Sequence, residues 1–124
     1  MRLLLVLAGG ALGSGGRYLV SVWMAERFAG AFPWGTLTVN LAGCFLIGLI
    51  ATLADEFGRI GAGTRVFLVV GVLGGFTTFS SFALEAWRLA ETDHELRALI
   101  YVGGSLALGL TAAVLGTIVG RAVV

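Results

Sequence analysis

Four long stretches of this chain carry almost no charge, and that decides which solvent it folds in. Leu3 to Ala25 holds one charged residue, Arg17, while Trp34 to Ala54, Val66 to Leu84 and Ala98 to Gly120 hold none. Each exceeds the roughly 18 apolar residues that make a transmembrane helix candidate. With 58% of residues hydrophobic and 12% charged, an ordinary soluble domain is excluded. The first stretch is not a secretory signal peptide, because it lacks a cleavage pattern after a short core and carries Arg17 deep inside. The chain reads as an all-α membrane protein with four transmembrane helices, at approximate spans 3–25, 34–54, 66–84 and 98–120. They form a single domain over residues 1–124.

The connections are short. Glu26 to Pro33 joins the first two spans, and Pro33-Trp34 suits a helix start at the membrane interface. Asp55 to Arg65 joins the second and third; Glu85 to Arg97 joins the third and fourth, with room for an extra helical turn or two. Cys44 is the only cysteine, so no internal disulfide forms, and within a span it reads as a small packing residue. His94 lies in a charged loop and reads as solvated. An even number of spans puts both termini on one face, with Arg2, Arg59, Arg65 and Arg121; Arg27, Arg88 and Arg97 occupy the other. The balance of Lys and Arg orients a membrane protein, and four against three is hardly a bias. Two readings stand level. Copies insert both ways and can form an antiparallel dimer, or one dominant loop arginine fixes a single orientation.

Gly9-x-x-x-Gly13, Gly71-x-x-x-Gly75 and Gly116-x-x-x-Gly120 have the small-xxx-small spacing that lets helix backbones approach closely, within a subunit or between subunits. More specific is Gly74-Gly75-Phe76-Thr77-Thr78-Phe79-Ser80-Ser81-Phe82, which lies inside the third span. Paired glycines followed by paired threonines at that depth predict a broken helix near Gly74 to Thr78. Open backbone in hydrocarbon is tolerated only where protein or a water-filled path covers it. Thr78, Ser81, Phe82 and Glu85 share one face by their three- and four-residue spacings. Phe79 and Phe82, three residues apart, can stack along one side of the helix after the break, or serve as an ordinary lipid-facing or core pair. In the first case their positive ring edges, beside hydroxyl and amide donors, make a wall that favours an anion. Asn40 with Thr36 and Thr38 in span two, and Tyr101, Ser105, Thr111 and Thr117 in span four, complete the polar residues at depth. Singly, each also fits as interhelical glue.

Three stretches together resemble the Fluc (CrcB-type) fluoride channels over essentially the whole chain. They are Gly9-Gly10-Ala11-Leu12-Gly13 with Arg17-Tyr18, then Gly35-Thr36-Leu37-Thr38-Val39-Asn40 with Gly43 and Gly48. The third is Gly74-Gly75-Phe76-Thr77-Thr78-Phe79-Ser80 with Phe82 and Glu85. The resemblance implies a fluoride-selective channel in a bacterial or archaeal plasma membrane, relieving cytoplasmic fluoride toxicity by passive export. It implies an antiparallel, dual-topology homodimer with two pores, each lined from both subunits. By the same resemblance, Asn40 is the pore asparagine and Phe79 and Phe82 the aromatic pair that fluoride passes. Ser80 and Ser81 are the hydroxyls between those rings, Tyr101 and Ser105 belong to a polar track in the fourth span, and Arg17 and Glu85 lie near the aqueous vestibules. A structural sodium ion at the dimer interface is implied on the backbone carbonyls of Gly74 and Thr77. One position departs from the pattern: the track continues a turn beyond Ser105 in the family, where this chain has Gly109. Thr111 or a water is left as the candidate substitute.

The implied partners are a second copy of the chain, fluoride and membrane lipid, with no role for nucleic acid. No nucleophile–base pair or cluster of metal-ligating side chains points to an enzyme. A small dual-topology proton-coupled multidrug exporter is the alternative function. It requires a carboxylate within the membrane, whereas span one offers Arg17 and Glu85 falls at the end of span three. A non-transporting subunit of a larger complex is the other alternative, and it has no use for polar residues gathered round a break.

Overall fold

The computed structural model describes residues 1–124 and is all-helical. Helix α1 spans Arg2–Arg27 and α2 spans Trp34–Ala51, running on through a π-helical turn at Thr52–Glu56. Helix α3 starts at Ala62–Arg65, widens into a π-helical Val66–Leu73 and ends in Gly74–Phe76. Helix α4 spans Phe79–Glu91 and α5 spans Glu95–Ala122. Four segments are long and apolar enough to cross a membrane: Arg2–Arg27, Trp34–Glu56, Ala62–Glu91 and Glu95–Ala122. Only 14 of 124 residues are buried within the subunit, while Leu3, Leu12, Leu99 and Leu110 lie on its outside. An apolar exterior around so small a core suits lipid as the solvent. The chain is an integral, multi-pass membrane protein.

Local chemistry sets the helix ends. Pro33, whose fixed φ suits a helix start, stands at the N-cap of α2, and Leu37 N–H returns to its carbonyl at 3.2 Å. Gly58, at φ 60°, turns the chain out of the π-helical turn so that Arg59 N–H reaches Leu53 O at 2.8 Å. Asp93 takes the left-handed conformation (φ 56°) after α4, and His94 N–H closes on Leu89 O at 3.1 Å. This is a Schellman closure, in a position where a short polar side chain tolerates positive φ. The predicted extra helical turns after Glu85 are present, because α4 runs to Glu91. At the face that holds both termini, Arg121 makes two bonds to Glu56, at 2.7 and 2.9 Å, and Arg65 lies 3.0 Å from Asp55.

Glycine brings α1 against α3 and α2 against α5. A Cβ on Gly9 would stand 2.5 Å from Phe67 O, and one on Gly75 would stand 2.6 Å from Gly10 O. A Cβ on Gly13 would overlap Val72 O; on Gly48 it would overlap Ala113 O, and on Gly116, Phe45 O. The small-xxx-small spacings are therefore used inside the subunit, where close backbone packing replaces the hydrophobic drive that lipid cannot supply. Gly10, Gly15, Gly103 and Gly104 have open space instead. Gly120→Ala places a methyl 3.0 Å from Thr52 Cβ, and Thr52 is tethered by its hydroxyl to Gly48 O at 2.8 Å. We expect a loss of about 1–3 kcal/mol from overpacking. Gly10→Ala should leave stability unchanged or raise it by up to about 1 kcal/mol through helix propensity. Denaturant unfolding in detergent, followed by circular dichroism, measures both.

Candidate functional site

Two extended residues separate α3 from α4: Thr77 (φ −88°, ψ 157°) and Thr78 (φ −152°, ψ 117°). Thr77 still belongs to the helix on its amino side, since its N–H and its hydroxyl both reach Leu73 O, at 3.0 and 2.8 Å. Thr78 does not. In a continuing helix its N–H would bond Gly74 O; here it donates to Asn40 Oδ1 at 2.8 Å. Asn40 Nδ2 donates in return to Thr78 O at 3.0 Å. One side chain from α2 thus satisfies both main-chain polar groups of Thr78, as open backbone at membrane depth requires. Thr78 then caps α4. Its Oγ1 accepts the Ser81 N–H at 3.1 Å and lies 3.3 Å from Ser80 Oγ, the standard role of a threonine N-cap.

This junction divides two open cavities. The first, of about 430 Å³, is lined by Asn40, Thr77, Thr78, Phe79, Phe82 and Ser105 among others, and no charged residue borders it. Ser105 Oγ is buried there with no hydrogen-bond partner. Asn40 has spent one of its two N–H donors on Thr78, so a second remains. The Phe79 and Phe82 rings lie 5.6 Å apart at 43°, and Phe79 is 78% exposed on the subunit surface. The second cavity, of about 290 Å³, is lined by Ser14, Arg17, Tyr18, Ser21, Thr36, Thr78, Ser81 and Glu85. Glu85 is held on both oxygens: Thr36 donates to Oε1 at 2.9 Å and Tyr101 to Oε2 at 3.0 Å. Arg17 forms no ion pair; the two in the subunit are Arg65–Asp55 and Arg121–Glu56.

The sequence-predicted residues fall into two groups around Thr78. Asn40, Phe79, Phe82 and Ser105 gather on the uncharged cavity, with Gly74 and Thr77 at its wall. Arg17, Ser81 and Glu85 gather on the charged one. Ser80 is exposed and lines neither. Tyr101 also lines neither. It is 1% exposed, with its ring 5.1 Å from Phe82 and its hydroxyl on Glu85. At the departing position, Cys44 Sγ lies 3.4 Å from where a Gly109 Cβ would be, so the thiol packs against the glycine. Thr111 is exposed, and its hydroxyl bonds Ala107 O at 2.7 Å. Sequence reasoning noted Thr36 only as one polar residue at depth and gave it no tie to Glu85. Phe32, 5.5 Å from Tyr101 and edge-on at 74°, passed unnoticed. Its loop position beside Pro33 carried no periodic signal.

The family described as CrcB-like protein, Camphor Resistance (CrcB), matches residues 4–117. The chain belongs to the CrcB family. Relatives match over nearly the whole chain. One from Rhizobium meliloti (strain 1021), named "Fluoride-specific ion channel FluC", is 49% identical, covering 98% of each chain. Proteins of the same name from Chlorobium chlorochromatii and Thermus thermophilus are 51% and 50% identical. They cover 96% and 99% of this chain and 92% and 96% of their own. The CrcB match takes in every residue placed around the two cavities.

Proposed function

We propose that this chain is a fluoride-selective channel, not an enzyme, through which fluoride leaves the cytoplasm passively. The observation that carries the reading is the cavity that joins Asn40, Phe79, Phe82 and Ser105 without a single charged residue. Fluoride is small and strongly hydrated, and a dry path must replace its water with several donors acting together. A hydrogen bond to a charged group contributes about 1.5–3 kcal/mol, so no single donor suffices. The free N–H of Asn40, the unpartnered Ser105 hydroxyl and the ring edges of Phe79 and Phe82 offer neutral attraction. A fixed positive charge in the same place would hold the anion too tightly for it to leave. Arg17, in the neighbouring cavity, attracts anions to the mouth instead. The relatives' shared name points to the same ion. The multidrug-exporter alternative draws no support from them.

The assembly in this reading is an antiparallel homodimer in the plasma membrane, with two pores. The near-even split of arginines between the faces is compatible with insertion both ways. The exposure of Phe79 on the isolated subunit suits a ring that completes a path with a second copy. A sodium ion between the copies fits the chemistry of the junction. The Gly74 carbonyl has lost its helical donor to Asn40, and Gly74 lies on the exposed surface of the subunit. Neutral oxygens are what a hard cation takes. The carbonyls of Gly74 and Thr77 would hold the ion, which neutralises their dipoles and ties the subunits together.

Purified protein in liposomes is expected to release fluoride but not chloride when an ionophore balances charge. A fluoride electrode reading no faster than for empty vesicles removes the channel reading. Cysteine crosslinking that captures only parallel pairs removes the antiparallel assembly and leaves the channel reading standing.

A further inference from the structure

Six aromatic rings form an unbroken chain from the α1–α2 connection to the wall of the uncharged cavity. Phe28 lies 6.0 Å from Trp34, Trp34 4.6 Å from Phe32, and Phe32 5.5 Å from Tyr101. Tyr101 lies 5.1 Å from Phe82, which lies 5.6 Å from Phe79. Only the last two rings border that cavity. The Tyr101 ring is held at three points: its hydroxyl on Glu85, the Phe82 ring on one side and the Phe32 ring, edge-on, on another. It is also part of a small buried core with Leu89 and Ala98, against which Phe32 and Phe82 pack. Phe32 sits one residue before the N-cap proline of α2, in a connection whose Gly30 has φ 138°. The Phe32 carbonyl accepts the Trp34 N–H at 3.0 Å, and of the side chains in this connection Phe32 is the one that reaches the core.

Resting on the channel reading above, the geometry points to Phe32 as a positioning residue for the pore ring Phe82, acting through Tyr101. Phe82 is packed by a ring on each side, and the Phe79 side is open on the subunit surface. The Tyr101 side is therefore the rigid one, and its rigidity depends on Phe32. If Phe32 is shortened, Tyr101 gains room to tilt about its hydroxyl anchor, and the face it offers to Phe82 turns with it. Edge-to-face pairs depend on orientation as well as distance, so the Phe82 ring shifts off the angle it presents to the cavity. The expected result is a slower ion passage in a protein that still folds.

The test is fluoride efflux from liposomes at low protein density, which gives two readings. The fraction of vesicles that empties counts folded channels, and the rate at which those vesicles empty reports passage through each channel. Phe32→Leu keeps most of the volume without the ring, and we expect about a threefold to tenfold fall in the emptying rate with the fraction unchanged, the worth of the Phe32–Tyr101 pair, the one of its two pairs that bears on Phe82. Phe32→Tyr should restore the wild-type rate. Phe32→Leu added to Tyr101→Leu should slow passage no further, because both act along one line. The proposal is overturned if Phe32→Leu lowers only the fraction of vesicles that empties, if the rate is unchanged, or if the two substitutions multiply. Wild-type vesicles that fail to empty overturn the channel reading itself, a different result from any of these. Phe32→Met serves as a second variant if the leucine protein does not fold, with the same fall in rate expected.

Discussion

Replacing Asn40 with alanine is expected to abolish fluoride efflux by closing the junction at Thr78. The Asn40 amide gives Thr78 one acceptor and one donor, at 2.8 and 3.0 Å. Without it, an N–H and a C=O lose their partners at a depth where water is scarce. Each orphaned group costs about 1–3 kcal/mol, so the extended pair becomes the less favourable backbone. The cheapest repair is for Thr78 N–H to return to Gly74 O and continue the helix. That rotates Phe79 and Phe82 away from the cavity and removes the Thr78 cap from α4. Asn40→Asp separates the two bonds. It keeps an acceptor for Thr78 N–H, loses the donor to Thr78 O, and puts a negative charge on a neutral anion path. It should fail as completely, by repulsion rather than by closing the junction. Amide hydrogen exchange at Thr78 tells the two apart: the alanine protein should change its protection and the aspartate protein should keep it. Wild-type efflux from Asn40→Ala would mean that the junction holds without its clamp.

The fold was legible because lipid imposes so few solutions. The runs at 3–25, 34–54, 66–84 and 98–120 each fall inside a helical segment able to span, and in hydrocarbon an uncharged run of that length has little else to become. The residue-level ends were less so. Span three was read to Leu84 with room for an extra turn or two beyond it, and the helix does run on to Glu91, since Glu85 and Arg88 carry charge without ending helical backbone. The π-helical widening of Val66–Leu73 left no mark in the apolar pattern, because a run hydrophobic on every face has no period to shift. The glycine spacings were legible as close contact but not as a choice of neighbour. Gly13 and Gly116 could equally have met another subunit, and only the folded chain assigns them to α3 and α2.

Of the candidate site, residue types were visible and partners were not. The Gly-Gly-Phe-Thr-Thr pattern drew attention to Thr77 and Thr78, but nothing in it says that an asparagine 38 residues earlier holds Thr78 at both ends. Tyr101 and Ser105 sit one helical turn apart, and the resemblance puts both on one polar track, but their hydrogen bonding differs. Ser105 lines the cavity and its buried hydroxyl has no partner, while the Tyr101 hydroxyl bonds Glu85. A four-residue spacing fixes a shared face but not which of two residues points along it. The departure at Gly109 became clear for a similar reason. Cys44, read in isolation as packing, takes the adjoining space, and neither residue's role is legible without the other.

Phe82→Ile should slow efflux about a hundredfold in a protein that still folds. The side chain keeps its apolar character, so the membrane-embedded fold has no reason to reject it. What it loses is the ring between Phe79 and Tyr101, at 5.6 and 5.1 Å. Two aromatic pairs are worth about 0.5–1.5 kcal/mol each, and the ring that borders the cavity goes with them. A barrier higher by about 2.7 kcal/mol gives the hundredfold figure, at 1.36 kcal/mol for each factor of ten. Phe79→Ile separates packing from conduction, because Phe79 is 78% exposed and supports little of the subunit's interior. If the rings only packed the fold, Phe82→Ile would reduce the number of active vesicles and Phe79→Ile would change nothing. If they line the ion path, both slow each active channel while the number of active vesicles holds. Efflux at low protein density gives both readings on the same preparation, and an unchanged emptying rate in both variants would remove the rings from the path.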